Sequence, residues 1–100
     1  MAKIRRLENR AVNSLILSKR DASLIFEAGT ALAGISTYLN PSPSTQPADM
    51  VTNARDAISN VYSQKIIDAY LRTLRNSQLT NEAEELQSTY AQLRKLARLD

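Results

Sequence analysis

All three prolines of this 100-residue chain, Pro41, Pro43 and Pro47, fall within one seven-residue stretch. Proline removes a backbone donor and restricts the residue before it, so no helix passes through Asn40–Pro47. Elsewhere nothing forbids long helices. The two glycines, Gly29 and Gly34, both lie in an Ala-rich segment. Apolar residues recur at three- and four-residue spacing on both sides of the proline stretch, and no segment alternates with period two. The expected class is all-α, an antiparallel helical hairpin or three-helix bundle in a single domain, with helices at about 3–39, 48–76 and 81–98 and a Pro-rich loop at 40–47.

The first helical segment changes face. Leu17, Leu24, Ala28, Ala31, Leu32, Ile35 and Leu39 form one stripe, and Ile4, Leu7, Ala11 and Leu15 form another, offset by roughly 110° on the helical wheel. The change falls at Ser18–Asp21. A break or kink there, capped by Ser18 or Asp21, is favoured over one unusually long helix. The second segment also shifts, by roughly 100°, from Val51, Ala54, Ile58, Val61 and Tyr62 to Ile66, Ile67, Tyr70 and Leu74. Pro47 suits a first helical turn, with Thr45 or Gln46 near the cap. Thr80 or Asn81 is the expected cap of the third helix, whose first turn holds Glu82, Glu84 and Glu85, where carboxylates complement the helix dipole. Ala83, Leu86, Tyr90, Leu93 and Ala97 make its packing face.

Charge is unevenly spread. Residues 1–20 carry six bases against one acid, a net +5, while residues 21–93 carry four bases against eight acids. Lys3, Arg5, Arg6 and Arg10 crowd the start of the first segment, where cations oppose the helix dipole. They are candidate contacts for an anionic partner, either an acidic protein surface or nucleic acid. No aromatic residues interleave with them, which weakens a single-strand-binding reading. In an up–down–up bundle, Arg72 and Arg75 would meet Glu82, Glu84 and Glu85.

Catalytic machinery is sparse. The chain has no Cys and no His, which removes thiolate and imidazole chemistry. Gly29 and Gly34 lack the Lys-Ser/Thr of a phosphate loop. The glutamate trio is accounted for by the helix dipole rather than by a cation. No cofactor and no metal are expected. There is no unbroken run of 18 apolar residues and no signal-peptide core, so neither a membrane span nor a secretory leader is expected. The proline pattern is read as a stiff turn rather than a polyproline ligand, since no aromatic or basic flank supports recognition.

What remains is interaction. Ala28, Gly29, Ala31, Ala33 and Gly34 thin the first helix and invite close approach by another. Phe26 lies off the core stripe beside Ala22, Gly29 and Ala33. Both long helices shift their apolar face midway, and one three-helix bundle does not cover two faces of each. A homo-oligomer or an obligate protein partner is therefore expected, with Phe26, Ile66, Ile67, Tyr70 and Leu74 as contacts. The layout is similar to helical-hairpin subunits that bacteria export or that are built into phage particles. The Trp-x-Gly turn of one such group is absent, and no family follows from the residues. The expected function is that of a non-enzymatic assembly subunit, adaptor or chaperone-like partner. The alternative is a small nucleic-acid-binding regulator using the basic N-terminal segment.

Overall fold

A computed structural model describes residues 18–99. Residues 1–17, including the stripe Ile4, Leu7, Ala11 and Leu15, lie outside the described residues. The described chain is 79% helical, without strands. Four helices follow one another: α1 (Lys19–Leu39), α2 (Pro47–Asn60), α3 (Gln64–Asn76) and α4 (Thr80–Leu96).

Helix α1 starts where the apolar stripe changes face. Ser18 has extended backbone (φ −67°, ψ 162°), and its hydroxyl accepts from the Asp21 amide at 3.1 Å. That is an N-cap, so no helix runs through Ser18. At the far end, Asn40 closes the helix by donating its backbone and side-chain nitrogens to the Ser36 carbonyl at 3.2 and 3.0 Å. The proline stretch then turns the chain, with Thr45 N donating to the Ser42 carbonyl at 2.9 Å. Pro47 opens α2 behind Gln46 as N-cap.

The expected single helix over 48–76 is two helices. The chain breaks at Val61–Ser63, where the Val61 and Tyr62 amides both reach the Ala57 carbonyl, at 2.9 and 2.8 Å. Ser63 then caps α3, its hydroxyl accepting from Ile66 N at 3.4 Å. The rotation of the stripe thus marks a break, not one helix changing face. Val61, placed by periodicity on the apolar face, is 55% exposed.

The start of α4 also differs from expectation. Neither Thr80 nor Asn81 is its cap; Leu79 occupies that position without a side-chain bond. The α3 terminus dictates this. Gln78 adopts left-handed backbone (φ 63°). Leu79 N donates to the Leu74 carbonyl at 2.8 Å, and Gln78 N to Arg75 at 3.0 Å. This is a Schellman closure, with apolar Leu79 folded back over Leu74. The same pattern ends α4: Arg98 has φ 58°, and Leu99 N meets the Arg94 carbonyl at 3.0 Å.

Helices α1, α3 and α4 pack on one another, and α2 packs mainly on α4. Large side chains at the centre are Ile25 and Ile35 from α1, Ile67 and Leu74 from α3, and Leu86 and Leu93 from α4. Each such burial stabilises by about 1.5–3 kcal/mol. All five residues of the expected α4 packing face (Ala83, Leu86, Tyr90, Leu93 and Ala97) are buried. Ile25, which the sequence reading left off the α1 stripe, is fully buried. The N-terminal turns of α1 lie beside the C-terminal turns of α3, so these helices run antiparallel. Arg55 of α2 donates from Nε to the Ala97 carbonyl at 2.7 Å, which puts α2 at the end of the bundle where α4 finishes.

Candidate interaction surfaces

The five residues proposed as partner contacts do not form one surface. Ile67 and Leu74 are 0% and 1% exposed and belong to the core. Because α3 is a separate helix, its stripe has its own place between α1 and α4 and is not left over from a longer helix. Ile66 and Tyr70, on the same helix, are half-buried. Phe26 is 41% exposed. On the α1 wheel, Ala22, Phe26 and Ala33 fall within about 40° of one another, roughly 120° away from the core positions Ile25, Ala28, Leu32 and Ile35. Phe26 therefore stands on an outer face flanked by small side chains.

By length and composition α1 could cross a membrane, a test that the core helix of a bundle also passes, and 33% of its most apolar stretch is buried here. The core role of Ile25, Ala28, Leu32 and Ile35 accounts for part of that hydropathy. Phe26 and Ala33 are exposed apolar surface on the outer side, whereas Ala22 packs against the core and Gly29 is buried.

Between α1 and α3 lies a group of tyrosines that sequence reasoning did not assemble. The Tyr38 and Tyr62 rings meet edge to face, with centroids 6.3 Å apart. Tyr62 lies against Gly34: a Cβ built there would collide with its hydroxyl and stand 3.2 Å from its Cζ. At Gly34 the thin stretch of α1 admits a ring from the α2–α3 junction, while Ala28, Gly29 and Ala31 are buried in the bundle. Burial raises the Tyr62 phenol above its ordinary pKa, and the Tyr38 and Tyr70 phenols add to this. Burial likewise raises Tyr70, helped by the Glu27 carboxylate. The signal in the sequence was slight, a Gly34–Tyr38 pair four residues apart and a tyrosine beside a capping serine.

A second recess, about 280 Å³, lies between α1 and α3 near Ser18. Arg20 and Arg72 line it, but so does Asp21, and the end of α3 turns its carbonyls toward the same region. It is amphoteric and selects no ligand charge. The Arg75 guanidinium donates from Nη2 to Gln87 Oε1 at 2.6 Å. Glu82 is buried, 6% exposed. No group of three or more acidic, His or Cys side chains among the described residues is placed to hold a metal ion. The anionic-partner candidates Lys3, Arg5, Arg6 and Arg10 lie outside the described residues. Comparison with protein-family models, curated proteins and solved structures finds no match for this chain.

Proposed function

We propose that this chain is a non-enzymatic helical interaction protein, an assembly subunit, adaptor or chaperone-like partner, that associates with further copies of itself through the outer face of α1. The observation that carries the reading is Phe26. It is the single phenylalanine of the chain, and it is 41% exposed on a helix already supplying five buried apolar residues, Ile25, Ala28, Ala31, Leu32 and Ile35, to the bundle. Fully burying an aromatic of this size gains about 1.5–3 kcal/mol, and the exposed part of Phe26 leaves a little under half of that to a partner. Aromatic residues, phenylalanine among them, are enriched at the buried centre of protein interfaces. Ile66 and Tyr70, half-buried on α3, are the secondary contacts of the same reading.

A second reading has its own observation: the net +5 of residues 1–20 against an acidic middle. It makes the chain a small nucleic-acid-binding regulator acting through Lys3, Arg5, Arg6 and Arg10. Light scattering on the eluting protein, at low and high salt, with and without duplex DNA, separates the two. Self-association by an apolar face gives a multiple of the monomer mass that survives high salt. The nucleic-acid reading gives a monomer that gains mass with DNA and loses it as salt rises. A salt-independent monomer indifferent to DNA contradicts both.

A further inference from the structure

Helix α2 is fastened to the fold by little apolar surface. Of its 14 residues only Ala54, Ala57 and Ile58 are buried, two methyls and one large side chain. Helix α3, one residue shorter, buries Ile67, Leu71 and Leu74. Stabilisation by burial scales with apolar area, so α2 is the more lightly held of the two. Its own sequence does not compensate. Thr52, Asn53, Asp56, Ser59 and Asn60 are weak helix formers. Gln46 caps the helix without a side-chain bond. A segment of this length and composition is not a stable helix once detached.

The neighbouring helices are closed without α2. Asn40 ends α1 with two bonds to the Ser36 carbonyl, and the Ser63 hydroxyl caps α3. Removing α2 therefore orphans neither of those ends. At the α2–α3 junction a free residue adjoins a fixed one: Val61 is 55% exposed, whereas the Tyr62 ring is seated on Gly34. We propose that α2 is a hinged lid. It leaves α4 and α1 as one unit, between the turn at 40–46 and the anchored Tyr62, while α1, α3 and α4 stay packed on one another. Opening breaks the bond from Arg55 to the Ala97 carbonyl and uncovers the apolar side of α4 that α2 covers. The inference needs no partner and is independent of the Phe26 reading.

The test is native-state amide hydrogen exchange of the full-length wild type, read residue by residue by NMR across a series of low urea concentrations. The amides of Ala54, Ala57 and Ile58 should be about 100-fold less protected than those of Leu71, Leu74, Leu86 and Leu93. The three should share one opening constant, because the lid moves as a unit. Their exchange should change little with urea, since opening exposes little surface, while exchange in α3 and α4 should rise steeply. Protection in α2 that equals that of α4, or that falls as steeply with urea, means that α2 opens only with the whole bundle and overturns the lid. Opening constants graded inward from the ends of α2 indicate fraying and overturn it as well. Fast exchange that continues through Ile67 to Leu74 puts the boundary elsewhere than Tyr62 and also overturns it.

Discussion

Gly34 and Tyr62 share a space that only one of them can fill: the hydroxyl of Tyr62 stands where a Cβ on residue 34 would be. Glycine inside a helix ordinarily costs about 1 kcal/mol relative to alanine. Here that cost is offset by seating the ring that closes the α2–α3 junction over α1. Gly34→Ala should therefore destabilise by about 1 kcal/mol, overpacking outweighing the gain in helix propensity. In a Tyr62→Phe background, where the colliding hydroxyl is gone, the same change should cost less by at least about 0.5 kcal/mol. Urea unfolding of the four proteins gives the cycle. Additive effects would mean the ring swings aside freely.

Arg55 ties α2 to the last turn of α4 through its bond to the Ala97 carbonyl. A guanidinium at a helix C-terminus satisfies an orphan carbonyl and complements the dipole. Arg55→Met keeps much of the aliphatic stem and removes the donor. It should lower stability by about 1 kcal/mol, a modest value because the site is only partly buried. Denaturant midpoints measure it, and an unchanged midpoint would show that α2 is held by Ala54, Ala57 and Ile58 alone.

The tyrosine group predicts an alkaline weakness. Tyr62 and Tyr70 have folded-state pKa values raised by burial, so the folded state holds their protons more tightly than the unfolded chain. Their contribution is fully present below about pH 10, the unfolded value, and is lost as pH rises through the folded value. Melting temperature should fall above pH 10, less steeply in Tyr62→Phe than in the wild type. Parallel slopes in thermal melts between pH 9 and 11 would contradict this.

The basic segment gives a fourth prediction. Reversing Lys3, Arg5, Arg6 and Arg10 should leave the melting temperature nearly unchanged and should abolish no DNA binding, because a protein surface is the preferred partner. If duplex DNA binding is instead tight in the wild type, the log–log salt slope should fall by about 0.9 for each phosphate contact the reversal removes. Fluorescence anisotropy across a salt series reads the slope directly, and that outcome would promote the nucleic-acid reading.

How much was readable depended on whether a local signal was of a familiar type. The proline turn, the Ser18 cap and the α4 face from Ala83 to Ala97 follow from residue chemistry and spacing. The break at Val61–Ser63 carries no Pro or Gly; its trace was the rotated stripe, which fits a helix changing face equally well. Gln78 and Arg98 hold left-handed backbone without glycine, so the Schellman closures left no compositional mark. That is why the α4 start was set a residue or two late. At the candidate surface, Phe26 stood out because it fell off the core stripe. Ile67 and Leu74 were misassigned because a helix taken as continuous seemed to have apolar surface to spare.

The central claim, that the outer face of α1 holds copies together, is tested most directly by sedimentation equilibrium of the wild type and Phe26→Ser at high salt. Salt suppresses contacts made by exposed charges and leaves apolar ones in place. More than half of Phe26 is covered by the bundle, so the serine should also lower folding stability, by about 1–2 kcal/mol, and a loss of mass reports the interface where the variant stays folded. The wild type should equilibrate as an oligomer and Phe26→Ser as a monomer with an unchanged circular dichroism spectrum. A wild type of monomer mass, or a variant that remains as oligomeric as its parent, would contradict the account.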